Sequence, residues 1–118
     1  MQTFSEESMK LPNGAQAIID RRKIAEYSLS PTHEDRRHKA RLFASLVGLT
    51  VDDADELIEA LRAAAEAGQA TIGKIDKYGE RYLIDFEFRG RIGSARIRSV
   101  WMVRTNETVP RLVTCYIL

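Results

Sequence analysis

Arg81-Tyr82-Leu83-Ile84-Asp85-Phe86-Glu87-Phe88-Arg89-Gly90-Arg91-Ile92-Gly93-Ser94-Ala95-Arg96-Ile97-Arg98-Ser99-Val100-Trp101-Met102-Val103-Arg104 decides the fold. In its first part Tyr82, Ile84, Phe86 and Phe88 alternate with Leu83, Asp85 and Glu87. In its second part Ala95, Ile97, Ser99, Trp101 and Val103 alternate with Arg96, Arg98, Val100, Met102 and Arg104. A period of two is that of a strand with one buried face, and the Arg89-Gly90-Arg91-Ile92-Gly93 turn joins the two strands as a hairpin. Before the hairpin, Gln69 to Asp76 reads as a further strand closed by Tyr78-Gly79. After it, Arg111 to Leu118 reads as another, set off by Thr105-Asn106-Glu107 and Pro110.

Upstream of Gly68 the period is helical. Thr50-Val51-Asp52-Asp53 resembles a capping box, and Ala54, Leu57, Ile58, Leu61 and Ala65 then line one face up to Gly68. A second helix is expected over about Asp35 to Val47, with Leu42, Phe43, Leu46 and Val47 as its stripe and Gly48 as its stop. A first, short helix spans Arg21 to Leu29 behind the N-cap Asp20, with Ile24, Tyr27 and Ser28 at helical spacing, and Ser30-Pro31 ends it. Leu11-Pro12-Asn13-Gly14 is a turn, and Ala17-Ile18-Ile19 reads as an edge strand. Helices first and strands after, on short connections, predict the α+β class: N-terminal helices packed on a four-stranded antiparallel β-meander. The helices cover one face of the sheet, and the other face is left free.

The chain has 118 residues, 44% apolar and 30% charged, which suits a single soluble domain over residues 11–118 behind a flexible segment at residues 1–10. Met1 to Lys10 has no basic stretch followed by an apolar one, so the expectation is a cytoplasmic protein without membrane attachment. Cys115 is the single cysteine, so there is no internal disulfide and no cysteine-rich zinc site. No cofactor and no metal are expected. The net charge of +1 gives no global field for non-specific nucleic-acid binding, yet cations gather locally at Arg21-Arg22-Lys23, at Arg36 to Arg41 and at Arg89, Arg91, Arg96 and Arg98.

Candidate chemistry concentrates in Thr32-His33-Glu34-Asp35-Arg36-Arg37-His38-Lys39-Ala40-Arg41, which holds both histidines. With about 100° per residue, Lys39 lies near the mean direction of the Leu42, Phe43, Leu46 and Val47 stripe, so a cation sits on the apolar side. Either its stem packs on Phe43 while the ammonium snorkels outward, or Lys39 points along the sheet into a cleft and holds an anion. His38 lies on the flank of the same helix, with an intrinsic pKa suited to proton transfer, and is otherwise a surface residue. His33 falls in the preceding loop, and the spacing of the two histidines does not favour a shared metal. Arg41 extends the basic run. On the uncovered side of the sheet, Arg96 and Arg98 face Asp85 and Glu87, and cross-strand ion pairs are the plain expectation. Thr114 and Tyr116 point to one face of the last strand, with Val113, Cys115 and Ile117 on the other.

Leu11-Pro12-Asn13-Gly14, Tyr27-Ser28-Leu29-Ser30-Pro31, His38-Lys39-Ala40-Arg41, Arg98-Ser99-Val100-Trp101 and Pro110-Arg111-Leu112-Val113-Thr114-Cys115-Tyr116 together resemble an uncharacterised family of small bacterial domains. More distantly, helices followed by a four-stranded meander with a Thr-x-Tyr final strand are similar to the RelE, barnase, EndoU-like and colicin-type ribonuclease toxins. That resemblance implies a metal-independent endoribonuclease that uses the RNA 2'-hydroxyl as nucleophile, or a degenerate relative of one. It implies His38 or Lys39 as acid or base, Arg98 for phosphate charge, and Thr114 and Tyr116 for positioning. His33, Arg41 and Arg96 would assist binding. RNA and a cognate antitoxin are then the expected partners. The alternatives are a non-catalytic protein-interaction module of a toxin/antitoxin or immunity-type system, and a small-anion-binding domain.

Overall fold

The computed structural model describes residues 9–30 and 37–118, so Met1 to Ser8, His33 and the start of the expected second helix lie outside the described residues. The sheet has the order β1-β2-β3-β4, made of Ala70–Asp76, Gly79–Arg89, Ser94–Arg104 and Arg111–Ile117. Each strand pairs antiparallel with the next. The α+β meander read from the sequence is therefore the fold. The central hairpin runs in unbroken register from Gly79↔Arg104 to Arg89↔Ser94, which stacks Tyr82 beside Trp101 and Phe86 beside Ile97 on the covered face.

Over that face lie a π-helical segment Lys23–Ser28, a helix α1 (Arg37–Leu42) that runs on as a π-helical turn Phe43–Val47, and a helix α2 (Ala54–Ala67). α2 forms because Ala54, Leu57, Leu61, Ala64 and Ala65 repeat on one stripe, all of them buried, and Asp55 and Glu56 in its first turn suit the helix dipole. Before it, the Thr50 N–H donates to the Asp53 carboxylate at 2.8 Å, as the capping-box reading expects. Gly48 closes the π-helical turn at φ 74°, a conformation that a side chain would strain. Gly90 lets the β2–β3 turn close on the Val47 carbonyl, leaving no room for a Cβ. Arg91 then ties that turn to the helical layer through Asp53 at 3.0 Å and through Glu56.

Two departures from the expected pattern bear on the site. The stripe of the second helix does not run through Leu46 and Lys39. Ala40, Phe43 and Val47 are buried, while Leu46 is 44% exposed and Lys39 is exposed. At about 100° per residue, Ala40, Phe43 and Val47 share one side, and Leu42, Leu46 and Lys39 fall off it, so counting Ala40 in place of the two leucines turns the stripe away from Lys39. The second departure is a bulge in β4. Val100 pairs with Thr114 but Trp101 pairs with Leu112, so Val113 is the extra residue. Leu112, Cys115 and Ile117 face the core, whereas Val113 is 37% exposed and does not belong to the buried set.

The expected edge strand at Ala17-Ile18-Ile19 is reduced to one parallel bridge. Ile18 N donates to Pro110 O and Leu112 N to Ile18 O, both at 2.9 Å. Met9 and Lys10 are tied to the fold by Ala70 N on Met9 O and Lys10 Nζ on Ala67 O, both at 3.1 Å. No helix among the described residues is long and apolar enough to cross a membrane.

Candidate functional site on the last strand

β4 is an edge strand, and α1 packs beside it on the covered side of the sheet. From that position Lys39 reaches round the edge. Its Nζ lies 4.9 Å from the centroid of the Tyr116 ring, a cation–π contact at half-exposed depth. The Lys39 ammonium thus ends over the ring of Tyr116, whose strand partner is Arg98. Tyr116 is the cross-strand partner of Arg98, and Thr114 is the partner of Val100 two rungs further along, on the same face. Lys39, Tyr116 and Arg98 are therefore brought together, with Thr114 next to them on the same face.

Arg98 is not a free cation. Its Nε donates to Asp85 Oδ1 at 2.8 Å and its Nη2 to Asp85 Oδ2 at 2.9 Å, a fork-to-fork pair on neighbouring strands. This is the cross-strand ion pair expected from the alternation. The hydrogen bonds and charge of Asp85 push the Arg98 pKa further up, with a smaller favourable contribution from Tyr116. Reciprocally, hydrogen bonding to Arg98 holds the Asp85 carboxyl below the usual aspartate value, against the opposing effect of burial. Asp85 takes up two of the five N–H groups of the guanidinium and Tyr116 engages it as well, so the rest remain for an incoming oxyanion. Because Asp85 balances the charge of Arg98, an anion placed there draws its net attraction from Lys39.

The pair makes a prediction about acid stability. A carboxyl with a lowered folded-state pKa contributes stability that is complete above its unfolded value, near 4, and is lost as pH falls through the folded value. Asp85→Asn is expected to lower the urea midpoint at neutral pH and to narrow the gap to wild type progressively below about pH 4. A gap that stays constant from pH 7 to about pH 2 would show that the pair contributes nothing of this kind.

The other sequence candidates divide. His38 precedes Lys39 on α1, and its side chain lies outside the described part of the structure. Arg41 is exposed two residues past Lys39, a spacing that does not put two side chains on one helix face. Arg96 is exposed on β3, in the same outward alternation as Arg98, and adds a favourable charge near Asp85. Cys115 lies beneath this face, with Ser28 Oγ 3.7 Å from its Sγ. Burial pushes its thiol up to about 11, so at neutral pH it is a packed thiol, not a nucleophile.

Reading the sequence missed a cleft of about 270 Å³ at the opposite end of β4, where Lys23, Arg104 and Arg111 meet beside Asp20, Ile18 and Met102. Its signals in the sequence are Lys23, in the cation cluster Arg21-Arg22-Lys23, and Arg104, which continues the outward alternation of Arg96 and Arg98.

No curated protein matches the chain significantly in sequence. Among solved structures, a chain of the contact-dependent growth inhibition toxin–immunity protein complex from Klebsiella pneumoniae 342 shares the fold, with a TM-score of 0.65 and 17% identity over 89% of this chain and 96% of that one. Residues 10–118 match the model of DUF6883, a domain of unknown function, and the chain belongs to that family.

Proposed function

We propose that this domain is a toxin-type endoribonuclease that cleaves RNA without a metal, at the edge of β4. The observation that carries the reading is the Lys39 ammonium over the Tyr116 ring, beside Arg98. RNA cleavage by its own 2'-hydroxyl needs a base for that hydroxyl, charge stabilisation at phosphorus and an acid for the departing 5'-oxygen. The attack forms the 2'-oxygen–phosphorus bond and breaks the bond to the 5'-oxygen, leaving a 2',3'-cyclic phosphate and a 5'-hydroxyl. Lys39 and His38 share the proton transfers, and Lys39 also supplies net positive charge. Arg98 offers its remaining N–H groups to a phosphate oxygen, while Thr114 and Tyr116 orient the nucleotide. The fold likeness to a chain from a toxin–immunity complex supports placing the domain in such a system, with a protein that neutralises it as partner.

The test is incubation with RNA in the presence of chelator, followed by analysis of the ends. Fragments with 2',3'-cyclic phosphate and 5'-hydroxyl ends are the expected result, and intact RNA would overturn the reading. A second reading, a non-catalytic interaction module, is favoured by the apolar side chains at the β1 edge. Ile72, Ile75 and Tyr78 are 51%, 60% and 61% exposed there. Under that reading Ile72→Asp with Ile75→Asp abolishes partner binding, while Lys39→Ala leaves it intact.

A further inference from the structure

We infer that the cleft between Lys23, Arg104 and Arg111 is a second phosphate subsite, one that binds the RNA strand away from the bond being cut. This rests on the ribonuclease reading and names its substrate class: single-stranded RNA laid along the free face of β3 and β4. The first support is continuity. Three cross-strand rungs lead from one place to the other: Arg98 with Tyr116, Val100 with Thr114, and Met102 with Arg111. Met102 and Arg111 are themselves walls of the cleft. Arg98 and Met102 are four residue steps apart on β3, about 13 Å at the ordinary strand rise, which an extended strand spans and a single nucleotide does not.

The second support is charge. Arg111 sits on Glu107, its Nε donating at 3.1 Å, and Asp20 is held by the Arg22 N–H at 2.9 Å and faces the Arg22 guanidinium at 3.7 Å. Asp20 and Glu107 thus each have an arginine, Glu107 also lies near Arg104, and a third carboxylate, Glu26, lines the adjoining hollow with Lys23. Against these three carboxylates stand the four cations Arg22, Lys23, Arg104 and Arg111, an excess of one positive charge, with Lys23 Nζ at a long 3.4 Å from the Val113 carbonyl. Arg104 is exposed, so it gives up no packing by turning to a phosphate. The bulge at Val113 contributes as well, since its exposed apolar side chain also lines the cleft. Between the cationic ends the floor is Val100 and Met102, half-buried and apolar, which suits the face of a base better than a phosphate. Duplex RNA does not lay its bases on such a floor, whereas a single strand does.

The test uses an oligonucleotide that cannot be cut. A 2'-deoxy single strand of about eight nucleotides is titrated against wild type and against the Lys23→Ala, Arg104→Ala double variant, at several salt concentrations. Expected is weaker binding, with the salt dependence shallower by roughly 0.7 for each phosphate that the variant no longer neutralises. In cleavage assays the variant's loss is expected to be larger for a long RNA than for a dinucleotide too short to reach the cleft, and to appear mainly in KM. Unchanged affinity and salt slope would overturn the subsite while leaving the ribonuclease reading in place, if wild type cleaves. Equal losses on long and short substrates would also overturn it. If wild type cleaves nothing, the ribonuclease reading fails, and the titration alone still decides whether the cleft binds the strand. Circular dichroism of the variant excludes misfolding as the cause.

Discussion

Lys39→Ala is expected to lower RNA cleavage by about 10²- to 10⁴-fold, the range in which a single positioned acid or base contributes. The side chain is exposed, and its contact with Tyr116 is a cation–π pair at the surface. Removing it opens no cavity and costs at most about 1 kcal/mol of stability. A large loss of activity with a nearly unchanged unfolding midpoint is therefore the expected signature. Lys39→Arg separates the two tasks assigned to this residue. A guanidinium keeps the positive charge over the ring, but it does not give up a proton in the working pH range. If Lys39 transfers a proton, the arginine variant stays as inactive as the alanine variant; if it acts through charge alone, activity returns to within roughly tenfold of wild type. His38→Ala should be measured beside them, because the proposed mechanism divides the proton transfers between these two neighbours on α1. Wild-type rates in Lys39→Ala would remove the residue from the mechanism.

Much of this arrangement is legible in the sequence, and the parts that are not share a physical reason. The hairpin from Tyr82 to Arg104 can be read because its alternation is strict and its turn is glycine-rich, and its register contains no irregularity. The Asp85–Arg98 pair follows from that alternation once the strands are opposed. Placing Lys39 requires a helical angle, and that angle assumes one uniform helix. What the angle depends on is which apolar residues are buried: Ala40 is and Leu46 is not, and small size and length alone do not announce that choice. Lys39 still stands out in the sequence as a cation whose surroundings conflict with its polarity, and it resolves the conflict by passing round the β4 edge to Tyr116. The bulge at Val113 is equally silent, because alternation is regular on each side of it and only pairing with β3 reveals the extra residue. The cleft at Lys23 joins residues far apart in the chain, which is why spacing motifs give no hint of it.

Trp101→Ala is the substitution expected to cost most stability, about 3 to 5 kcal/mol by comparison with other large aromatic truncations in packed cores. Trp101 is fully buried at the middle of β3, paired with Tyr82 on one side and Leu112 on the other. It also anchors a small polar chain inside the core. Trp101 Nε1 donates to Ser99 Oγ at 2.8 Å, and Ser99 Oγ donates to the Ile84 carbonyl at 2.8 Å. Against a total stability of roughly 5 to 15 kcal/mol for a domain, the loss is large enough to leave the least stable case partly unfolded at room temperature. Ser99→Ala isolates the polar part. It strands the buried indole N–H without opening a large cavity, and about 1 to 3 kcal/mol is expected. In a Trp101→Phe background the same Ser99→Ala change has no indole N–H to strand, so its cost should fall by about 1 kcal/mol or more. Chemical denaturation of the four proteins in that cycle measures the difference directly. A Ser99→Ala cost that is identical in both backgrounds would mean that the Trp101–Ser99 hydrogen bond adds nothing to the core. The consequence reaches the candidate site, because Trp101 adjoins the bulge that turns Thr114 and Tyr116 outward. Trp101→Phe, folded but with a looser floor beneath β4, should therefore lower cleavage of RNA more than its modest loss of stability accounts for.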